Sequence, residues 1–159
     1  MNTFLAFIIF LIPLCGVAQQ SEESRIQKLK DEVLKTDIAF NKMCQTEGFS
    51  KAFIEFAAAD VILMRQNQFP IVGFDALKDR FSKLTSQPKL SWYPRKADAS
   101  ASGDLGYTFG NWELVSKTAS GSDTTSYGVY ITVWKKQING KWKYVFDGGN
   151  DTPKPSGLK

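Results

Sequence analysis

Residues 127–150 read YGVYITVWKKQINGKWKYVFDGGN, and the fold follows from how this stretch pairs with itself. Two runs rich in β-branched and aromatic residues flank Asn139-Gly140, a pair that tolerates the positive φ of a two-residue type I′ turn. Such a turn sets Gln137 opposite Trp142, Lys135 opposite Tyr144, Val133 opposite Phe146, Ile131 opposite Gly148 and Val129 opposite Asn150. Side chains alternate across a strand, so these residues share one face. Tyr130, Thr132, Trp134 and Ile138 share the other with Lys143, Val145 and Asp147. Helices are expected to cover the first face, through Val129, Ile131, Val133 and Phe146. The second, amphipathic and aromatic, is expected to meet another subunit.

Immediately upstream lie more strands. Leu90–Ala99 reads as one, bent at Pro94; Ser102-Gly103-Asp104 turns it into a second, Leu105–Lys117. The loop Thr118–Asp123, TASGSD, has no period and is expected to be mobile. Before residue 89 the pattern is mainly helical. Ile26, Leu29, Val33, Phe40 and Cys44 recur at helical steps and predict a first helix over 21–46. Phe49, Ala52, Phe53 and Phe56 mark a second helix; Phe74, Leu77, Phe81 and Leu84 mark a third. Between them, Asp60–Arg65 and Pro70–Gly73 read as short strands. Helices first and strands after indicate an α+β domain, its helices on one face of a mainly antiparallel sheet. If the sheet curls, the space against helix one becomes a pocket, the default ligand site.

One polar residue interrupts the buried helical stripe. Asp37 lies between Val33 and Phe40, and a buried carboxylate requires a partner or a job. Tyr107, Trp112, Tyr144, Asp147 and Asn150 are its candidate neighbours. In a functional reading Asp37 is a general base or ligand acceptor, its pKa raised by the apolar wall. In a structural reading it accepts hydrogen bonds that tie helix one to the sheet. Arg65 either meets an anionic ligand or pairs with a carboxylate such as Asp60 or Asp37. Arg65, Tyr107, Trp112, Tyr144, Asp147 and Asn150 form the expected pocket set.

Composition excludes more than it assigns. The chain has no histidine, which removes Ser-His-Asp and Cys-His catalysis and nearly all zinc sites. No metal or organic cofactor is expected. The net charge of +4 over 159 residues comes from scattered Lys and Arg, unlike the dense stripe of a nucleic-acid surface. Residues 4–18, FLAFIIFLIPLCGVA, form an uncharged apolar run ending in small residues, too short for a comfortable membrane span. Residues 1–18 are expected to be a cleaved signal peptide, giving an exported, periplasmic or secreted protein with no stable membrane anchor. Cys15 leaves with that leader and Cys44 remains alone, so the core must supply the stability. One domain is expected over 19–153, with a frayed tail at 154–159.

Four segments in this order carry a family resemblance: EGFSKAFIEFAAADVILMR (47–65), PIVGFDALKDRF (70–81), SGDLGYTFGNWEL (102–114) and the 127–150 hairpin running into Asp151-Thr152-Pro153. They resemble the SnoaL-like, ketosteroid-isomerase-like branch of the nuclear-transport-factor-2-like superfamily, and within it are similar to domain of unknown function 4440. The resemblance implies a cone-shaped α+β barrel, a curved sheet wrapped around N-terminal helices, frequently a homodimer packed through the sheet. It implies no single activity. Ketosteroid-type chemistry uses an aspartate base with a tyrosine and a protonated acid as oxyanion donors. Carried over by position, these roles fall at Arg65, near Phe40 and around Thr132–Val133, none of which matches. Three readings follow: a domain binding a small, largely apolar molecule without established catalysis; a cofactor-free lyase, isomerase or hydrolase using Asp37; or a homodimeric interaction module working through Tyr130 and Trp134.

Overall fold

The computed structural model describes residues 15–118 and 120–155. Most of the expected leader, residues 1–14, and the tail residues 156–159 lie outside that range. Helix α1 spans Cys15–Glu47, so its first turn overlaps the last residues of the expected leader. Gly48, at φ +98, ends it and starts α2, Phe49–Phe56. Strands β1 (Ala57–Leu63) and β2 (Ile71–Val72), helix α3 (Phe74–Ser82), and strands β3 (Lys89–Ala99), β4 (Leu105–Lys117), β5 (Asp123–Lys136) and β6 (Trp142–Thr152) follow. No described helix is long and apolar enough to cross a membrane.

The six strands form one curved, unclosed sheet in the order β2-β1-β6-β5-β4-β3. All pairs are antiparallel except β1 with β6. Pro94 lacks a ladder N–H, and the register of β3 against β4 shifts between Pro94 and Lys96. Between β4 and β5, Thr118 N–H donates to Ser122 O at 2.8 Å and Gly121 N–H to Thr118 O at 2.9 Å.

The hairpin departs from its expected form in a way that decides which face is core. Only Gly140 of the Asn-Gly pair takes positive φ, +80. Gly140 N–H donates to Gln137 O, and Gln137 N–H to Lys141 O, both at 2.8 Å. This is a type I turn followed by a glycine bulge, not the two-residue type I′ turn. The added turn residue shifts the inner pairs to Trp134↔Tyr144 and Lys136↔Trp142; a second bulge at Val145 restores Val133↔Phe146 and Val129↔Asn150 as expected. Tyr144 and Trp142 thereby join Trp134, Thr132 and Tyr130 on one buried face.

That face is the one the helices cover, so the expected assignment of the two faces is reversed. The cause is aromatic area with satisfied polar tips. Trp134 Nε1 donates to Thr108 Oγ1 at 3.0 Å and Tyr144 OH to Phe53 O at 2.9 Å. Val129, Val133 and Phe146 are half-buried on the outer face, and Ile131 is exposed there. Phe40 on α1 is the hub of the interior, with ring centroids 4.7 Å from Phe53, 4.7 Å from Trp92 and 5.6 Å from Tyr144.

Candidate functional site

The curl of the sheet leaves a cavity of about 350 Å³ against the helices. Its apolar wall comes from Phe40, Phe49 and Phe53 of the helices and Leu90, Trp92 and Trp112 of the sheet. Trp112 is fixed by donating from Nε1 to Val129 O at 3.1 Å. Its indole lies across Gly128, where an added Cβ would fall 2.2 Å from the ring.

The polar end of the cavity is built where β1 meets β6. Met64 N–H donates to Asp147 O at 2.8 Å, bringing Arg65 beside the Asp147 side chain. Arg65 Nη1 donates to Asp147 Oδ1 at 2.9 Å and to Met64 O at 2.8 Å, and its guanidinium lies 5.3 Å from the Phe53 ring centroid. Across the ladder, Thr132 Oγ1 donates to Asp147 Oδ2 at 2.7 Å. Asp147 is buried, and both its oxygens accept a bond, which is how a carboxylate is tolerated there. Asn150, Asp151 and Gln66 continue the polar lining outward.

Asp37 is fully buried but does not line the cavity. It sits behind the wall, accepting from Tyr130 OH at 2.6 Å and Trp92 Nε1 at 3.1 Å. Burial pushes its pKa up to about 7, against the pull of those two bonds, and the nearby charge of Asp147 adds to the rise. Burial, with the neighbouring Asp37 and its hydrogen bond, likewise drives the Tyr130 phenol upward. Both partners of Asp37 line the cavity. The carboxylate therefore positions the wall and ties α1 to β3 and β5.

Of the expected pocket set, Arg65, Trp112, Asp147 and Asn150 come together around the cavity. Tyr107 and Tyr144 do not. Tyr107 alternates outward from Thr108 and lies in a shallow hollow on the other side of the sheet with Leu105, Ile131 and Val133. Tyr144 is sealed in the core beneath Phe40 and α2. Arg65 pairs with a carboxylate as one reading expected, but the partner is Asp147 and not Asp60 or Asp37. The three positions of the ketosteroid-type carry-over, Arg65, Phe40 and Thr132, do converge on the cavity; they carry a guanidinium, a phenyl ring and a hydroxyl, so no base or acid stands there. Sequence reading missed Trp92, Thr132 and Asp151 as cavity residues. The alternation of Trp92 with its exposed neighbour Tyr93 was the available signal.

No family model matches the sequence, and no curated protein is detectably similar to it. Solved structures are. A ketosteroid isomerase-like protein from Erwinia carotovora atroseptica superposes with a TM-score of 0.67 at 16% identity, over 79% of this chain and 97% of that one. An NTF2-like protein with a cystatin-like fold from Novosphingobium aromaticivorans gives 0.61 at 11% identity, over 87% and 90%. The CaMKII hub of S. rosetta gives 0.63 at 16% identity, over 77% and 96%. This chain has the nuclear-transport-factor-2-like, cystatin-like α+β fold.

Proposed function

We propose that this protein is an exported domain that binds a small, largely apolar molecule in the cavity between the helices and the curved sheet. One observation carries the reading: the cavity is walled by aromatic rings and ends in a fixed polar group, Arg65–Asp147–Thr132. Apolar walls supply affinity and a few oriented polar atoms supply specificity. The fold shared with a ketosteroid isomerase-like protein agrees with a ligand-binding role. Catalysis by Asp37 has less support, because its oxygens are occupied by Tyr130 and Trp92 and it does not reach the cavity. Cleavage after Ala18 would trim only the start of α1. The test is native mass spectrometry of the domain purified from its own host, with denaturing identification of anything released. A stoichiometric small molecule is expected; a ligand-free protein whose melting is unmoved by a panel of apolar compounds would refute the reading.

A second reading concerns the outer sheet face, which exposes Tyr93, Leu105, Phe109 and Ile131. We propose that this face, rather than the buried Tyr130 and Trp134 face, packs against a second copy of the chain. Sedimentation should show a dimer, and Ile131→Lys should dissociate it with the fold intact. A monomer at micromolar concentration would exclude it.

A further inference from the structure

Resting on the cavity as the binding site, we infer that its ligand is an organic cation: an aromatic or alicyclic body carrying one protonated or quaternary amine. Two independent features of the lining point there, its charge balance and its aromatic faces.

The charged residues lining the cavity are Arg65, Asp147 and Asp151, so the lining is acidic although the whole chain carries +4. Arg65 is already ion-paired, its Nη1 donating to Asp147 Oδ1 at 2.9 Å. The Arg65–Asp147 pair carries no net charge, so an anion beside it would gain from the guanidinium and lose to the carboxylate. Asp151 is in the opposite situation. With the Gln66 amide oriented by its partners, Nε2 lies 2.9 Å from both Asp151 oxygens. Asp151 meets no cationic side chain among the described residues. An amine at the outer end of the cavity would therefore find Asp151, whose own contacts leave its charge uncancelled.

The aromatic wall acts in the same direction. Trp92, Trp112 and Tyr130 line the cavity alongside three phenylalanines, and ring faces attract cations through their quadrupole, tryptophan most of all. Lysine is absent from the lining. An apolar body fills the wall, and its ammonium sits between the indoles and the acidic rim.

The test uses three probes with one body and different charge, titrated calorimetrically against the full protein: 2-naphthylmethylamine, 2-naphthylmethanol and 2-naphthoate. The amine should bind about tenfold tighter than the alcohol, and the carboxylate weakest of all. Asp151→Asn, an exposed change outside the core, should shrink the preference for the amine over the alcohol about threefold. Equal or tighter binding of the carboxylate or the alcohol would overturn the inference while leaving the cavity as a binding site. A preference unchanged in Asp151→Asn would overturn it as well. Binding of none of the three would remove the binding reading itself.

Discussion

Stability should fall as pH rises from 5 to 8, and Asp37 should be the cause. The carboxyl is fully buried, and its pKa is pushed up from 3.8 to about 7 in the fold. The folded chain therefore holds this proton across a range where the unfolded chain has lost it. Stability from a raised group is complete below the unfolded pKa and is lost as pH rises through the folded one. Moving a pKa by one is worth about 1.4 kcal/mol. The folded pKa lies about two pH units above pH 5, so about 2.5 kcal/mol should disappear by pH 8. The window is unusually clean because the chain has no histidine. The lowered carboxyls of Glu32 and Asp98 act in the opposite sense, through Lys136 and Lys30 respectively, but lose their effect only as pH falls below the ordinary carboxylate range. Equilibrium urea unfolding at pH 5 and pH 8 measures the difference directly, with constant m-value as the control. Asp37→Asn keeps the shape and removes the titration, so its stability should be level across the same range. A wild-type stability that is flat or rising between pH 5 and 8, or an Asn variant that keeps the slope, would refute the reasoning.

Three further outcomes follow from the same geometry. Tyr130→Phe removes the 2.6 Å bond that favours the charged Asp37; the midpoint of the stability–pH profile should move upward, and stability at pH 8 should fall by about 1–3 kcal/mol. Gly128→Ala places a Cβ 2.2 Å from the Trp112 ring and 2.4 Å from Asn150 O. It should cost about 3 kcal/mol or more by displacing the indole, read as a lower urea midpoint and altered tryptophan emission. Cys44 is buried and its thiol is pushed up to about 11 by burial, so it should react with a thiol reagent at neutral pH only at the rate of opening.

The fold was legible because its elements have strong periods and firm ends. The stripe Leu29, Val33, Phe40 and Cys44 is buried as its spacing demands, and β4 spans the residues expected. The sheet faces were not legible, since both carry apolar residues and two bulges, one closing the turn at Gly140 and one at Val145, decide where Trp142 and Tyr144 point. Alternation cannot reveal a bulge, which breaks alternation. Asp37 stood out because a carboxylate on an apolar stripe is costly. Its partners Trp92 and Tyr130 lie 55 and 93 residues away in sequence, and local patterning is silent at that distance. Tyr107 and Tyr144 were grouped with the pocket by residue type, while strand parity and the bulge settled their places.

The parallel pairing of β1 with β6 has a temporal consequence. Ala57 emerges from the ribosome long before Tyr144, its ladder partner, and until β6 arrives β1 has only the two-residue β2 beside it. Such long-range pairing closes late and slowly. The polar end of the cavity depends on the same junction, since Arg65 follows β1 and Asp147 belongs to β6. A nascent chain lacking its last strand thus holds an unfinished sheet and no complete site, and a C-terminal truncation before Asp147 should yield a chain that chaperones and proteases treat as incomplete, not a smaller working domain.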